Sequence, residues 1–525
     1  MRTTARPWRL LAATLAAVVS LTALAGCSSA VQEARGGGSD AKASDGGTLK
    51  IGVATDLQTA TPFSNASDAT NVLIGLVYDS LVDLPHESLT PKPALATSWK
   101  TAADGKSLTL QLRTGVKFHT GRELTSKDVE FSIKQWADPT FAVQFQRTAA
   151  AVTGFDTSDP HAITLTFDHP LSNIFDLLDV MPIIDSATID QLKAGKEYVG
   201  TGPFTFDKWT PGSQLTFSRN HDYWRGAPHL DGVQAKVVGD SQSQVSQLRS
   251  GQLDAIIGAG NRDLESLKKG GQFDVTRFTG AEQQVYVGAN VANPELKDER
   301  LRQAIAYGVD RPRIVKDVYR GAGYPINLPW PTYSPAYDAQ ANHTYDRDVT
   351  KAKKLVAAAS AGGSRPTIPL EFDANSGNIE ATAQIVQSNL EDIGIKVELQ
   401  PVDHNQFIKE LIGAKFKGLW ILNHSYAQWT PSTLAVSAYP FNADHNASHF
   451  ESTSYQAHAN AAWERTNGAD AQAKQAYAKL NKDLLDNQFL IELAIIFTQV
   501  ATSPKVHDID WSKRQEIHLE NAYLS

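Results

Sequence analysis

Between residues 368 and 399 the chain reads strand, helix, strand. Residues 368–372 are a short apolar run, 379–393 carry apolar residues at helical spacing up to Gly394, and 395–399 are apolar again. That order predicts a parallel βαβ unit, in which the helix must cover a face of the sheet. A second α/β stretch opens the body of the chain: 48–54 (TLKIGVA) alternates as a strand does, and 71–84 reads as an amphipathic helix ending at Pro85. A different texture lies between the two. Residues 107–112 (SLTLQL) and 162–167 (AITLTF) alternate strictly, 116–119 form a further strand, and 125–136 run helically from a Ser/Thr cap. The α/β character resumes at Phe204 and at 233–238, with a helix at 243–249 and a short strand at 253–257. Leu301, Ile305, Val309 and Ile314 place a helix over 300–319, broken at Asp310-Arg311-Pro312. A Pro/Tyr-rich loop at 321–345 precedes a helix at 349–359 stopped by Gly362-Gly363. The last long helix, 469–486, leads into the continuous apolar run 489–500, which fits a buried strand.

With 525 residues, 42% of them apolar and 20% charged, such a chain buries several cores, so two or three lobes are expected. A formal net charge of -8 argues against a nucleic-acid partner, which needs a clustered basic surface. The one cysteine excludes internal disulfides, Cys-based structural zinc sites and iron–sulfur clusters. Its position is informative. Arg2, Arg6 and Arg9 precede the apolar, small-residue run 10–26, the pattern of a secretory leader, and the run is shorter than the roughly 20 residues a stable membrane span needs. The run ends Leu24-Ala25-Gly26-Cys27-Ser28, which resembles the lipobox of bacterial lipoproteins, in which the cysteine is lipidated and becomes residue one. Signal peptide 1–26, tether 27–47 and palmitate-type anchoring through Cys27 on the extracytoplasmic face of the cell membrane are the expectations.

Five blocks carry a wider resemblance. They are Pro93-Ala94-Leu95-Ala96-Thr97-Ser98-Trp99; Leu112 to His119 with Gly121 and Leu124-Thr125-Ser126-Lys127-Asp128-Val129; Gly200-Thr201-Gly202-Pro203-Phe204; Arg219-Asn220-His221-Asp222-Tyr223-Trp224 with Pro228 and Asp231; and Arg300 to Asp310. In this order they resemble the solute-binding proteins of ABC transporters, family 5, the peptide/nickel class. The resemblance implies a periplasmic-binding-protein-like fold (type II, cluster C): two α/β lobes with a hinge plus an inserted α+β domain. Lobe I would comprise 48–84, 200–277 and 498–525, the inserted domain II 85–199, and lobe III 278–497. Ligand would lie between the lobes and be enclosed when they close.

No Walker loop, HExxH or GxSxG is present, so neither an ATPase nor a hydrolase is expected, and no cofactor. The positive signal is aromatic. Trp420, Tyr426 and Trp429 cluster around Asn423, and rings of this kind suit an enclosed organic ligand. Trp420 alternates with Leu422 in a strand and fits a core as well as a ligand face, whereas Tyr426 and Trp429 follow in a polar loop. Where peptide binders of the family hold an aspartate for the peptide's amino terminus, three residues before an Asp-Pro, alignment on Thr430-Pro431 places Ala427. A buried ammonium without a counter-charge costs several kcal/mol, so another acid, such as Asp56, would have to serve. Loops after strands supply further candidates: Asp56, Gln58 and Thr59 after the first strand, and Asn375 and Ser376 after 368–372, residues that equally suit Asx turns and helix caps. His445 and His449, with His424 nearby, read as loop residues, and no metal site is expected.

The reading is a monomeric solute-binding lipoprotein of an ABC importer, capturing an oligopeptide or peptide-like solute for a permease. An oligosaccharide or other uncharged ring-bearing solute is the alternative ligand, and a surface sensor or chaperone-like module without a transport role the alternative class.

Overall fold

In the computed structural model, residues 44–57, 63, 67–359 and 367–525 are described. The leader, Cys27, Gln58 and Thr59 lie outside them. Three sheets organise the body. The first has seven strands and is assembled from distant parts of the chain, in the order 274–277, 499–502, 255–257, 48–53, 232–237, 214–219, 204–210. Its central strand, Thr48–Val53, is parallel to both neighbours, Gly232–Val237 and Ala255–Ile257. Leu49, Ile51 and Val53 face inward, which is the alternation expected of it. Gln499–Thr502 enters this sheet from the far end of the chain, antiparallel to Ala255–Ile257 and Asp274–Arg277.

The helix after the central strand spans Asp68–Val77 and stops short of the expected Leu84. It starts at Ser67, whose Oγ accepts from the Thr70 amide at 3.1 Å. It ends because Gly200-Thr201-Gly202 crosses its last turn: the Gly202 amide donates to the Val77 carbonyl at 2.9 Å. Asp79 is then drawn into a hub, accepting from Thr201 Oγ1 at 2.7 Å, Tyr223 OH at 3.0 Å and Trp224 Nε1 at 2.9 Å.

The second sheet has six strands in the order 323–325, 490–496, 283–289, 419–424, 368–373, 397–402. The βαβ unit is present: Ile368–Asp373 and Val397–Val402 pair in parallel across the helix Gly377–Asp392. Strand alternation divides the sheet's faces. Val285, Val287 and Ala289 pack under the helices on one side, while Tyr286 and Trp420 join the large core shared with the rest of the molecule. The break at Asp310 separates helices Glu299–Gly308 and Arg311–Asp317, with Asp310 capping the second by accepting from the Arg313 amide at 3.0 Å.

The third sheet, four antiparallel strands in the order 96–101, 107–112, 162–167, 152–156, belongs to the stretch of different texture. Beside it Arg122 bridges two buried carboxylates, Asp128 and Asp185, at 2.6 Å each. The result is two α/β lobes and an antiparallel insert. The chain passes between the two larger sheets twice, after Arg277 and after Ile496, and the crossings are joined by the Phe278 amide donating to the Thr498 carbonyl at 2.9 Å.

Candidate functional site

The strand Leu419–His424 puts Trp420, Leu422 and His424 on one face and delivers the loop 425–430 to the meeting point of both lobes and the insert. Trp420 is completely buried, stacked on Phe416 at 4.8 Å and edge-on to Tyr286 at 5.5 Å. It fills the space opposite Gly288, where a Cβ would come within 2.0 Å of the indole. Its place is in the large core that the six-stranded sheet shares with the rest of the molecule. Asn423 is half-buried and donates to Gln283 Oε1 at 2.8 Å.

Tyr426 takes a left-handed backbone, φ 90°, and its amide donates to Gln428 Oε1 at 2.8 Å. This turn lays its ring among three others: His424 at 5.2 Å and near-parallel, Phe145 at 5.4 Å, and Trp429 at 5.2 Å. Trp429 is fully buried and donates through Nε1 to Asp179 Oδ2 at 3.1 Å. His424 meets Gln144 Oε1 through Nε2 at 3.2 Å; burial pushes its pKa down to about 4, so the ring is neutral and Nε2 is the donor. Phe145, Gln144 and Asp179 all come from the insert.

Carboxylates surround the loop, from other segments. Asp176 accepts from the Thr430 amide at 3.0 Å and from Thr433 Oγ1 at 2.6 Å, and burial pushes it up to about 7. Asp179 also accepts from the Leu84 amide at 2.7 Å and is raised by burial. Glu282 accepts from Tyr333 OH at 2.6 Å and from the Gly280 amide at 3.1 Å. Against them stands Lys513, completely buried, its ammonium bonded to the His86 carbonyl and 5.4 Å from the Tyr333 ring centroid. Burial lowers its pKa, and Asp179, Asp176, Glu282 and Glu87 oppose that. Gln428 Nε2 donates to the Lys513 carbonyl at 2.8 Å, tying the loop of one lobe to the C-terminal segment that closes the other. Next along that segment are Arg514 and Glu516, 3.6 Å apart, both with side chains nine-tenths buried.

The other residues that the sequence singles out are placed differently. Asp56 accepts from Trp209 Nε1 at 2.9 Å and from the Gly212 amide at 2.6 Å, both within the seven-stranded lobe. Asn375 is exposed, its amide held by Asp373 at 2.9 Å in a local turn. Ser376 is half-buried at the start of the helix Gly377–Asp392. Ala427 is buried and adds no charge to the loop. Phe145, Asp176, Asp179, Lys513, Arg514 and Glu516 were missed. The first three sit among residues that pack as an insert, and the others in a polar run, 510–516, that reads as a solvated tail; no motif marks either.

A family model, bacterial extracellular solute-binding proteins, family 5 (middle), matches residues 90–448. The chain belongs to that family. Its members are binding proteins, not enzymes, and this solute-binding protein therefore captures a solute outside the cytoplasm without converting it. Among curated relatives, the oligopeptide-binding protein AppA of Bacillus subtilis is 26% identical over 77% of both chains. Heme-binding protein A of Haemophilus influenzae is 28% identical over 64% of this chain and 66% of its own. AppA in complex with a nonapeptide superposes with a TM-score of 0.81 at 22% identity, covering 92% of this solute-binding protein and 100% of AppA. AgaA from Agrobacterium tumefaciens R10, in complex with agropinic acid, gives 0.82 at 23%, covering 91% and 99%.

Proposed function

We propose that the protein is a lipid-anchored, monomeric receptor that captures an oligopeptide or peptide-like solute between its lobes and delivers it to an ABC permease. The observation that carries the reading is the convergence on one loop of three parts of the chain. Rings from the six-stranded lobe and the insert, and buried charges from the C-terminal segment, meet around 425–430. Relatives whose names give oligopeptides and di- and tripeptides as ligands support the choice of solute. Cys27 at the end of its leader supports anchoring at the membrane. The membership of the sheets supports lobe I at 48–84, 200–277 and 498–525, the insert at 85–199, and lobe III at 278–497.

A second reading, an uncharged ring-bearing solute, is favoured by Ala427 and the four-ring group. Native mass spectrometry of the protein purified from its host decides between them. Retained masses that fragment as short peptides are expected; a sugar or other non-peptide mass selects the second reading, and no retained solute together with no ligand-induced compaction counts against both.

A further inference from the structure

The insert meets the six-stranded lobe along a buried polar seam. Asn173 Nδ2 donates to Thr433 Oγ1 at 3.1 Å, Trp463 Nε1 donates to Asn173 Oδ1 at 2.7 Å, and both Asn173 and Thr433 are completely buried. At its rim Arg147 pairs with Asp444 at 2.8 Å. Inside it stands an ionisable group, Asp176, whose Oδ2 accepts from the Thr430 amide and from Thr433 Oγ1, and whose Oδ1 accepts from Thr430 Oγ1 at 3.0 Å. The donors in contact with it are neutral. Lys513 of the C-terminal segment acts on it by charge alone, Tyr477 of the helix Ala471–Asn487 feels its charge in turn, and Asp179, one turn along its own helix, is engaged by Leu84 and Trp429. Burial outweighs the donors and pushes Asp176 up to about 7.

The two sides of the seam belong to different bodies. The helix Ile174–Val180, which carries Asp176, is tied to the seven-stranded lobe: the Leu81 amide donates to the Leu178 carbonyl at 3.1 Å and the Leu84 amide to Asp179 at 2.7 Å. Thr430 and Thr433 follow the strand Leu419–His424 of the other lobe. A swing of the lobes about the crossings after Arg277 and Ile496 therefore takes Asp176 out of its seam and into water, where its ordinary value of 3.8 returns. His424 reaches Gln144 across the same join with the opposite sign, since parting lets its ring take up a proton.

We propose that Asp176 is a proton-operated latch on lobe closure. With its proton, it closes the seam as a neutral acid, because either threonine hydroxyl can turn from donor to acceptor. Without it, a carboxylate is left in a dry seam with neutral groups in contact, and the seam parts to hydrate it. Closure thus takes up a proton at this residue and weakens as the pH rises. The inference rests on lobes that close, and not on which solute they close upon.

The test is hydrogen exchange of the full-length chain, followed by mass spectrometry at pH 5.5 and pH 7.5 and corrected for intrinsic rates. The Thr430 amide donates to Asp176, so its protection reports the parting of the seam. With a closed value of about 7 and an open value of 3.8, linkage through Asp176 weakens closure about 20-fold over that interval. The change in protection of peptides covering Thr430 and Thr433 is therefore expected to differ about 20-fold between the wild type and Asp176→Asn, in which His424, Asp179 and Lys513 still titrate. Should Asp176→Asn fail to fold, Thr433→Val decides: it removes one donor to the carboxylate and is expected to extend the fall in protection to higher pH. The strand Gln283–Ala289 is the internal control, and its protection is expected to stay level. The same pH response with and without the substitution, or a fall shared by the control strand, overturns the latch and leaves solute capture standing.

Discussion

His424 shows how a single side chain reports on the join between lobe and insert. Its ring is buried, and its pKa of about 4 lies below the ordinary 6.5 of an unfolded chain. The unfolded state therefore takes up a proton that the native state refuses. Stability from this group is intact above about pH 6.5, falls as the pH drops, and levels off near 4; by pH 5 the loss is about 2 kcal/mol. Asp176, raised to about 7, acts in the opposite sense, costing stability as the pH rises from about 4 to 7. In His424→Gln only the histidine contribution is removed. Urea unfolding at pH 7.5 and pH 5 is expected to show the variant gaining about 2 kcal/mol on the wild type over that interval; a difference independent of pH contradicts the assignment. At this scale the sequence was a partial guide. Tyr426 and Trp429 stand out in the sequence as aromatic residues in a polar loop, and the structure places both in one ring group with Phe145. Trp420, for which the sequence left core and ligand face open, is packed in the core where Gly288, far away in the chain, leaves a space for its indole. Asp179 gave no signal, since its partners, the Leu84 amide and Trp429 Nε1, come from distant segments.

At the scale of elements, three of the five blocks that carry the family resemblance meet in one joint. Gly200-Thr201-Gly202 closes on the end of the helix Asp68–Val77, and the Arg219–Trp224 block returns to the same point through Asp79. Arg113 stacks over Trp224, 4.5 Å from the ring centroid. A Cβ at Gly202 would lie 2.5 Å from the Val77 carbonyl carbon and 2.6 Å from the Leu76 oxygen, both backbone atoms with nowhere to go. Gly202→Ala is expected to cost about 2–3 kcal/mol, as overpacking of a close backbone contact does. Thermal unfolding should show a midpoint several degrees lower, and an unchanged midpoint would mean that the joint is slack. Such joints explain why the fold was readable while the ligand was not. Their geometry is fixed by glycines and buried hydrogen bonds that leave a pattern in sequence, whereas the cleft is lined by whatever side chains its solute demands.

For the whole molecule, the change of texture along the chain was legible because strict alternation and βαβ order have different periods. The length of the helix after the first strand was not, because what ends it lies more than a hundred residues later. A solute that bridges both lobes and prefers the closed form a thousandfold supplies about 4 kcal/mol of closure. Small-angle scattering is therefore expected to show a smaller radius of gyration when a binding peptide is added to solute-free protein. No change with a peptide shown to bind would mean that the lobes are already fixed.

The C-terminal segment sets the order in which this receptor can come into being. Gln499–Thr502 occupies an interior position of the seven-stranded sheet, and Lys513, Arg514 and Glu516 follow it. A polypeptide emerges from the ribosome, and from an export channel, amino end first. The lobe that begins with the earliest strand of the body thus waits for one of the last, and its charged wall arrives later still. A stop codon between Ile496 and Gln499 would therefore yield no weakened receptor but an unfinished sheet with an open gap, a substrate for extracytoplasmic proteases rather than a partner for a permease.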